Sequence, residues 1–293
     1  MMNDQAENLR RRLQMKYNPR QAKTLSIISG KGGVGKSNVA LNFCLQLINH
    51  QKKVLLFDLD FGMGNVDILL GLHPNKTIID MFHEQLPIYD VIEEGPGGLA
   101  YIAGGSVLSS LFKTDSRMMD YFFDQYEQLI NMYDYIIFDM GAGVSEESIR
   151  FILPSDECIV VTTPEPTSIT DAYGMIKYIL SYNPSMPLHV VMNRSQTEKT
   201  GYEALKRFKK VVGQFLKADI ELMGTLPEDK TVPRSVMNQT PFILYNARSP
   251  IAKAMNKLTK AYVSGQQGIT KENVTFVQKL KQLFDEREKG KMR

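Results

Sequence analysis

What the sequence has little of narrows it first. No run approaches the roughly 18 consecutive apolar residues that a membrane-spanning helix needs. The opening residues are polar and charged (Asp4, Glu7, Arg10, Arg11, Arg12), with no apolar stretch of the kind an export leader carries. Cysteine is scarce: Cys44 and Cys158 both sit in apolar stretches, which reads as buried reduced thiols in a cytosolic protein, and no metal-ligand spacing occurs. Charge of one sign is lacking too, since 35 Lys and Arg against 32 Asp and Glu leave a formal net charge of +3. That balance argues against DNA as a partner of the whole surface and leaves any charged partner to a local cluster. No internal repeat is visible. What remains is ordinary globular usage, 43% hydrophobic and 23% charged over 293 residues, enough for one large domain with a substantial core.

Short apolar runs alternate with amphipathic segments along the chain. The runs at 24–28, 54–57, 135–138, 159–161 and 188–192 read as buried parallel strands with helical patterns between them. A doubly wound, mostly parallel α/β sheet flanked by helices follows, with ligands expected beyond the carboxyl ends of its strands. Segment 90–110, with Gly95-Pro96-Gly97-Gly98 and then Tyr101-Ile102, reads as a turn and one more short strand. Three units result. An N-terminal segment covers 1–20, ending at Asn18-Pro19, where a helix is expected to stop. The α/β domain covers 21–264. A spacer with Gly265 and Gly268 then leads 265–293, the C-terminal unit.

Gly30-Lys31-Gly32-Gly33-Val34-Gly35-Lys36-Ser37 contains the Gly-x4-Gly-Lys-Ser pattern of a P-loop, after an apolar strand and before an apolar-periodic helix, the context that motif demands. Glycines let backbone N–H groups turn inward on phosphates, and the helix N-terminus, opened by Ser37 and Asn38, adds a positive dipole end. Lys36 is placed to neutralise the β and γ oxygens and Ser37 to offer a hydroxyl to Mg²⁺. The strand at 54–60 ends in Asp58-Leu59-Asp60, acids positioned to meet magnesium or an attacking water, although Asp58 reads equally as a structural hydrogen-bond acceptor. Tyr135-Ile136-Ile137-Phe138-Asp139 is the Walker B pattern, with Asp139 as metal ligand, and Met140-Gly141-Ala142-Gly143 follows as a mobile switch.

With its second lysine, Lys31-Gly32-Gly33-Val34-Gly35-Lys36-Ser37 resembles the deviant Walker A of the MinD, ParA and nitrogenase-iron-protein class. The resemblance implies an ATPase that pairs with a second copy of itself around ATP and Mg²⁺, Lys31 reaching across to the partner's nucleotide. It also implies that Asp60 positions the hydrolytic water. GTPases of this fold read guanine with an Asn-Lys-x-Asp segment, which is missing here. Asn193-Arg194 and Pro227-Glu228-Asp229 match the adenine-contact segments of the MinD group, and Asn193 carries the donor and acceptor that adenine requires. Thr162-Thr163-Pro164-Glu165 matches a dimer-facing loop, making Glu165 a cross-dimer nucleotide contact.

Both ends add to the resemblance. Val274, Phe276, Val277, Leu280, Leu283 and Phe284 recur at helical spacing, an amphipathic stripe of the kind MinD-like proteins use to bind membranes. Dimerisation would present two such helices and make attachment to the inner face of the cell membrane ATP-dependent, with the stripe docked on its own domain otherwise. At the other end, Asp4-Gln5-Ala6 with Leu9-Arg10 resembles the activator segment of the FlhG (YlxH or FleN) branch. That branch controls flagellar number and placement, stimulates the partner GTPase FlhF and implies basal-body components as further partners. A DNA-partition ATPase of the ParA type and a division-site MinD stand as alternatives.

Overall fold

Continuous apolar strands need cover on both faces, and the sheet has it. A computed structural model describes residues 21–60, 64–104, 116–265 and 275–288. β1 (Lys23–Ser29), β2 (Val54–Leu59) and β6 (Glu157–Thr162) are buried along their whole length. With β3 (Glu93–Glu94), β4 (Ala100–Ile102), β5 (Tyr135–Ala142), β7 (Leu188–Ser195) and β8 (Glu221–Pro227) they form one sheet of order β3-β4-β2-β5-β1-β6-β7-β8. Every pairing is parallel except β3 with β4. The five expected runs each become strands. β8 is the edge strand that periodicity does not announce, because Gly224 at φ +150° interrupts it where the β7–β8 register slips.

One face carries α1 (Lys36–Asn49), α2 (Val66–Leu70), α9 (Phe242–Tyr245) and α10 (Pro250–Gly265), whose apolar side chains close a core with Leu25, Ile27, Leu56 and Ile137 of the strands. The other carries α4 (Ser116–Glu127), α5 (Glu146–Ile152), α6 (Pro166–Tyr182) and α7 (Glu198–Leu216) over Ile28, Phe57, Phe138 and Val160. Of the shorter helices, α3 (Ile78–Glu84) adds Ile78, Met81 and Phe82 to the second core and α8 (Thr231–Met237) sets Val232 against the first; α3 opens with a capping box, Thr77 accepting from Asp80 N and Asp80 from Thr77 N.

The last helix, α11 (Phe276–Glu288), completes the second core instead of standing off it. Phe276, Val277 and Leu280 are buried, and Leu283 packs partly against the same cluster. Phe276 stacks 4.7 Å from Tyr126 and edge-on 5.2 Å from Phe138, ring to ring. Lys279 Nζ binds Asp156 Oδ1 at 3.0 Å, while Asp156 Oδ2 accepts from Thr24 N at 2.9 Å. The apolar stripe is therefore seated on its own domain. Val274 and the side chain of Phe284 lie outside the described residues.

Beneath the sheet, at the end away from the P-loop, Glu157 gathers charge. It pairs with Lys23, accepts from Tyr262 Oη at 2.7 Å and meets His189 Nε2 at 3.2 Å. Burial alone would raise its carboxyl, but the hydrogen bond from His189 and the charge of Lys23 outweigh that and hold it near a pKa of about 2 against the usual 4.5. A carboxylate depressed by folding contributes stability above its unfolded pKa and loses it as pH falls toward the folded one. The shift corresponds to something on the order of 3 kcal/mol at neutral pH. Glu157→Gln is expected to unfold at clearly lower urea than the parent protein at pH 7, with the gap closing as pH falls from about 5 to 2.

Candidate functional site

The loop between β1 and α1 is shaped by its glycines. Gly33 at φ +80° and Gly35 at φ +88° take left-handed conformations that turn successive N–H groups to one side, and Gly35 forms the N-cap of α1. Gly30 has no room for a side chain, since a Cβ there would lie 2.2 Å from the carbonyl carbon of Asp171 on α6. Gly32 is open, its nearest neighbour being Ala142 Cβ at 3.9 Å. Val34 tucks into the core, while Ser37 and Asn38 begin the helix half-buried.

Lys36 is buried and its Nζ binds Asp139 Oδ1 at 2.5 Å, with Ser37 Oγ at 3.3 Å. The expected phosphate lysine, metal carboxylate and metal hydroxyl thus share one point at the carboxyl end of β5. Lys31, the second lysine, stands at the surface, donating to Glu165 Oε2 at 3.2 Å and to Thr167 Oγ1 at 2.9 Å. Two residues expected at a dimer face are thereby paired within one chain.

The β2 acids divide. Asp60 is half-buried, and a Cβ on Gly141 would lie 3.3 Å from its Oδ1, so it faces the glycine after the Walker B strand. Asp58 is buried beside Asp139 in the β2–β5 register and accepts backbone amides. Burial and the charge of Asp139 raise its pKa to about 7. Gly141 and Ala142 extend β5 here, and Gly143 N donates to Ser29 O at 2.9 Å.

The segments expected to contact adenine meet at the ends of β7 and β8, where Glu228 N donates to Ser195 O at 2.9 Å. Asn193 is buried and donates Nδ2–H to Val34 O at 2.8 Å, so its amide nitrogen braces the P-loop and its oxygen is the half left for a base. Arg194 takes the left-handed turn at φ +52° and is exposed, as is Glu228 beyond Pro227. Asp229 turns inward, accepting from Thr231 N at 2.8 Å and from Ile251 N at 3.2 Å. Burial opposes its charge, but these amides win and its carboxyl falls below the usual range. Spacing alone missed these bracing roles of Asn193 and Asp229, because the partners lie 159 and 22 residues away. Asp4, Gln5, Ala6, Leu9 and Arg10 lie outside the described residues.

This donor set fits a magnesium nucleotide. A one-sided row of loop amides and Lys36 suit phosphate oxygens, and the oxygens of Ser37 and Asp139 suit a hard divalent cation. Gly30→Ala should lower stability by about 2–3 kcal/mol in urea unfolding and weaken nucleotide binding, because backbone must move. Gly32→Ala should stay within about 0.5 kcal/mol of the parent protein.

Comparison with known proteins agrees with this geometry. The ParA family model, described as the NUBPL iron-transfer P-loop NTPase, matches residues 20–263. The antiactivator FleN of Pseudomonas aeruginosa is 31% identical, over 73% of this chain and 77% of its own. The flagellum site-determining protein YlxH of Helicobacter pylori is 33% identical, over 80% of this chain and 82% of its own. Among solved structures, MinD in the MinC:MinD cell division complex of Aquifex aeolicus superposes with TM-score 0.67 at 26% identity, covering 86% of this chain and 99% of the other. Family model, relatives and the two-lysine loop agree: the chain belongs to the ParA family of P-loop ATPases, in the FleN and YlxH branch.

Proposed function

We propose that this protein is an ATP-hydrolysing switch that dimerises on ATP and regulates flagellar number and placement. The observation that carries the reading is the division of labour between two lysines: Lys36 is buried on Asp139, while Lys31 stands at the surface on Glu165 and Thr167. A lysine committed to its own chain's phosphates has no reason to stand outside. Placed there, it can exchange those neutral and acidic acceptors for the phosphates of a second copy. The flagellar assignment follows from likeness to FleN and YlxH.

In hydrolysis, the loop amides and Lys36 hold the phosphates, and Asn193 with Arg194, Pro227 and Glu228 borders the base, braced from behind by Asp229. Magnesium, held by Ser37 and Asp139, would supply charge neutralisation between the phosphate oxygens. Asp60 accepts a hydrogen bond from the attacking water and orients it; such chemistry depends on positioning more than on a strong base. Lys31 and Glu165 of each copy complete the site of the other.

The output rests on the two ends. Among the described residues no helix is long and apolar enough to cross a membrane; the amphipathic α11, with its apolar stripe, is the membrane-contacting element in this reading. Burying Phe276, Val277 and Leu280 contributes roughly 2 kcal/mol each before chain ordering opposes it. Docking of that size is within reach of a ligand that prefers one state. ATP-driven pairing releases α11 to the inner face of the membrane, and the segment at 1–20, through Gln5, stimulates the GTPase FlhF.

Flotation on liposomes tests the membrane arm. The intact chain should float with ATP and stay down with ADP, and a chain ending at Gly268 should stay down with both; equal flotation of all four samples removes the ATP-gated anchor. Lys31→Ala should keep nucleotide affinity within about 3-fold yet remain monomeric with ATP in light scattering. A peptide of residues 1–20 should accelerate GTP turnover by the partner GTPase, and the same peptide with Gln5→Ala should not.

A further inference from the structure

β2 ends in two acids with different surroundings. Asp60 is half-buried, whereas Asp58 is 2% exposed. A carboxylate taken that far from water needs donors. Those of Asp58 are three amides of the segment that follows it. Oδ1 accepts from Asp60 N at 3.2 Å, and Oδ2 accepts from Asn65 N at 2.8 Å and Val66 N at 3.1 Å. One side chain therefore holds both ends of the loop between β2 and α2.

The fit around it is close. A Cβ on Gly64 would lie 3.0 Å from Asp58 Oδ2, and one on Gly104 would lie 2.4 Å from the Asp58 carbonyl oxygen. With Oδ2 receiving two amides, the carboxylate is committed to the loop. The first residue it holds is Asp60, whose own carboxylate faces Gly141. The last two open α2, whose Ile68 carbonyl accepts from Gln239 Nε2 at 3.2 Å. Asp58 thus holds the ends of the loop, and α2, which follows it, is tied in turn to the segment after α8.

We infer that Asp58 is a positioning residue for ATP hydrolysis: by clamping the amides of Asp60, Asn65 and Val66 it fixes where the Asp60 carboxylate stands. The inference rests on Asp60 as the residue that orients the attacking water. Asp58 touches neither water nor nucleotide in this role. Its contribution is geometric, and a misplacement on the order of 1 Å at a reacting group costs roughly 100-fold in rate. A carboxylate that merely stabilised the loop would affect the fraction of folded protein, not the turnover of what is folded.

Single-turnover ATP hydrolysis and affinity for a fluorescent ATP analogue, measured on the full chain, separate these roles. Asp58→Asn keeps shape and size but turns one acceptor into a donor facing an amide, so at least one clamp bond is lost. It should lower kcat about 10- to 100-fold with nucleotide Kd within about 3-fold. Gly64→Ala leaves the carboxylate in place and crowds Oδ2; it should lower kcat about 3- to 10-fold, and it carries the test if Asp58→Asn does not fold. Asp60→Ala, run alongside, should cost at least about 100-fold. If Asp60→Ala falls while both other variants stay within about 2-fold, the clamp is overturned and the Asp60 reading stands. If Asp60→Ala itself keeps its rate, the water-orienting reading fails and the inference with it. Parallel loss of affinity and rate in Asp58→Asn would make it a binding residue and overturn the positioning role.

Discussion

The buried contact between Lys36 and Asp139 is the constraint around which the nucleotide end of this molecule is organised. Two opposite charges, 6% and 1% exposed at their side chains, sit 2.5 Å apart where the P-loop meets the Walker B strand. Neither could be buried alone, since removing one partner strands an ion in a medium that solvates it poorly. Their closeness demands that β1 and β5 be neighbours and that α1 begin directly above them; the loop between is fixed independently, since a Cβ at Gly30 would strike the Asp171 backbone and one at Gly35 the Asn193 amide. Charges further out respond to the pair. Asp58, next to Asp139, is pushed to about 7 by burial and by that neighbour, and the Cys44 thiol is raised by burial and then by Asp139. A cysteine held neutral in this way is a core side chain, and Cys158 on the other side of the sheet is likewise raised by burial, so neither cysteine is primed for redox or metal chemistry.

Phosphate binding resolves the same constraint in another way. With nucleotide bound, Lys36 would meet its oxygens, and the oxygens of Asp139 and Ser37 suit a divalent cation, so each buried charge would find a new partner and none would be left alone. The loop is already shaped for such a ligand: Gly33 and Gly35 take left-handed conformations, and Asn193 holds the Val34 carbonyl. The end proposed to border the base is stiffened similarly, with Asp229 tying the start of α8 to the start of α10.

Much of this was legible in the sequence because it depends on local pattern. Unbroken apolar runs marked the covered strands, and Gly30 to Ser37 marked the phosphate loop by glycine spacing. What was not legible depends on contacts between distant segments. β8 is interrupted at Gly224, so its period does not show. The basal charge of Glu157 is comprehensible only once Lys23, His189 and Tyr262 converge on it. Asp58 could be read as ligand or strut, and only its three amide partners separate those roles. The stripe at 276–283 reads as an apolar face seeking a surface; the groove it occupies is made of Tyr126, Phe138 and neighbouring rings, which no local pattern assembles.

That groove and the phosphate site share one strand, β5. Side chains alternate across a strand, so adjacent residues of β5 point to opposite business: Asp139 to Lys36 and the phosphates, Phe138 to Phe57, Phe151 and the ring of Phe276 on α11. Adjacency alone is not coupling. The arrangement would couple the two ends if α11 leaves its seat, as the proposed membrane role requires, because close-packed aromatic cores do not deform continuously. A change at the end of β5 that the cluster cannot absorb must favour one seating over the other. In that proposal the nucleotide would act on α11 only by as much as it prefers the strand position of one state. The described seat, three buried apolar side chains with Leu283 partly packed beside them and the ion pairs Lys279 with Asp156 and Lys281 with Glu127, is small enough for such a preference to decide it.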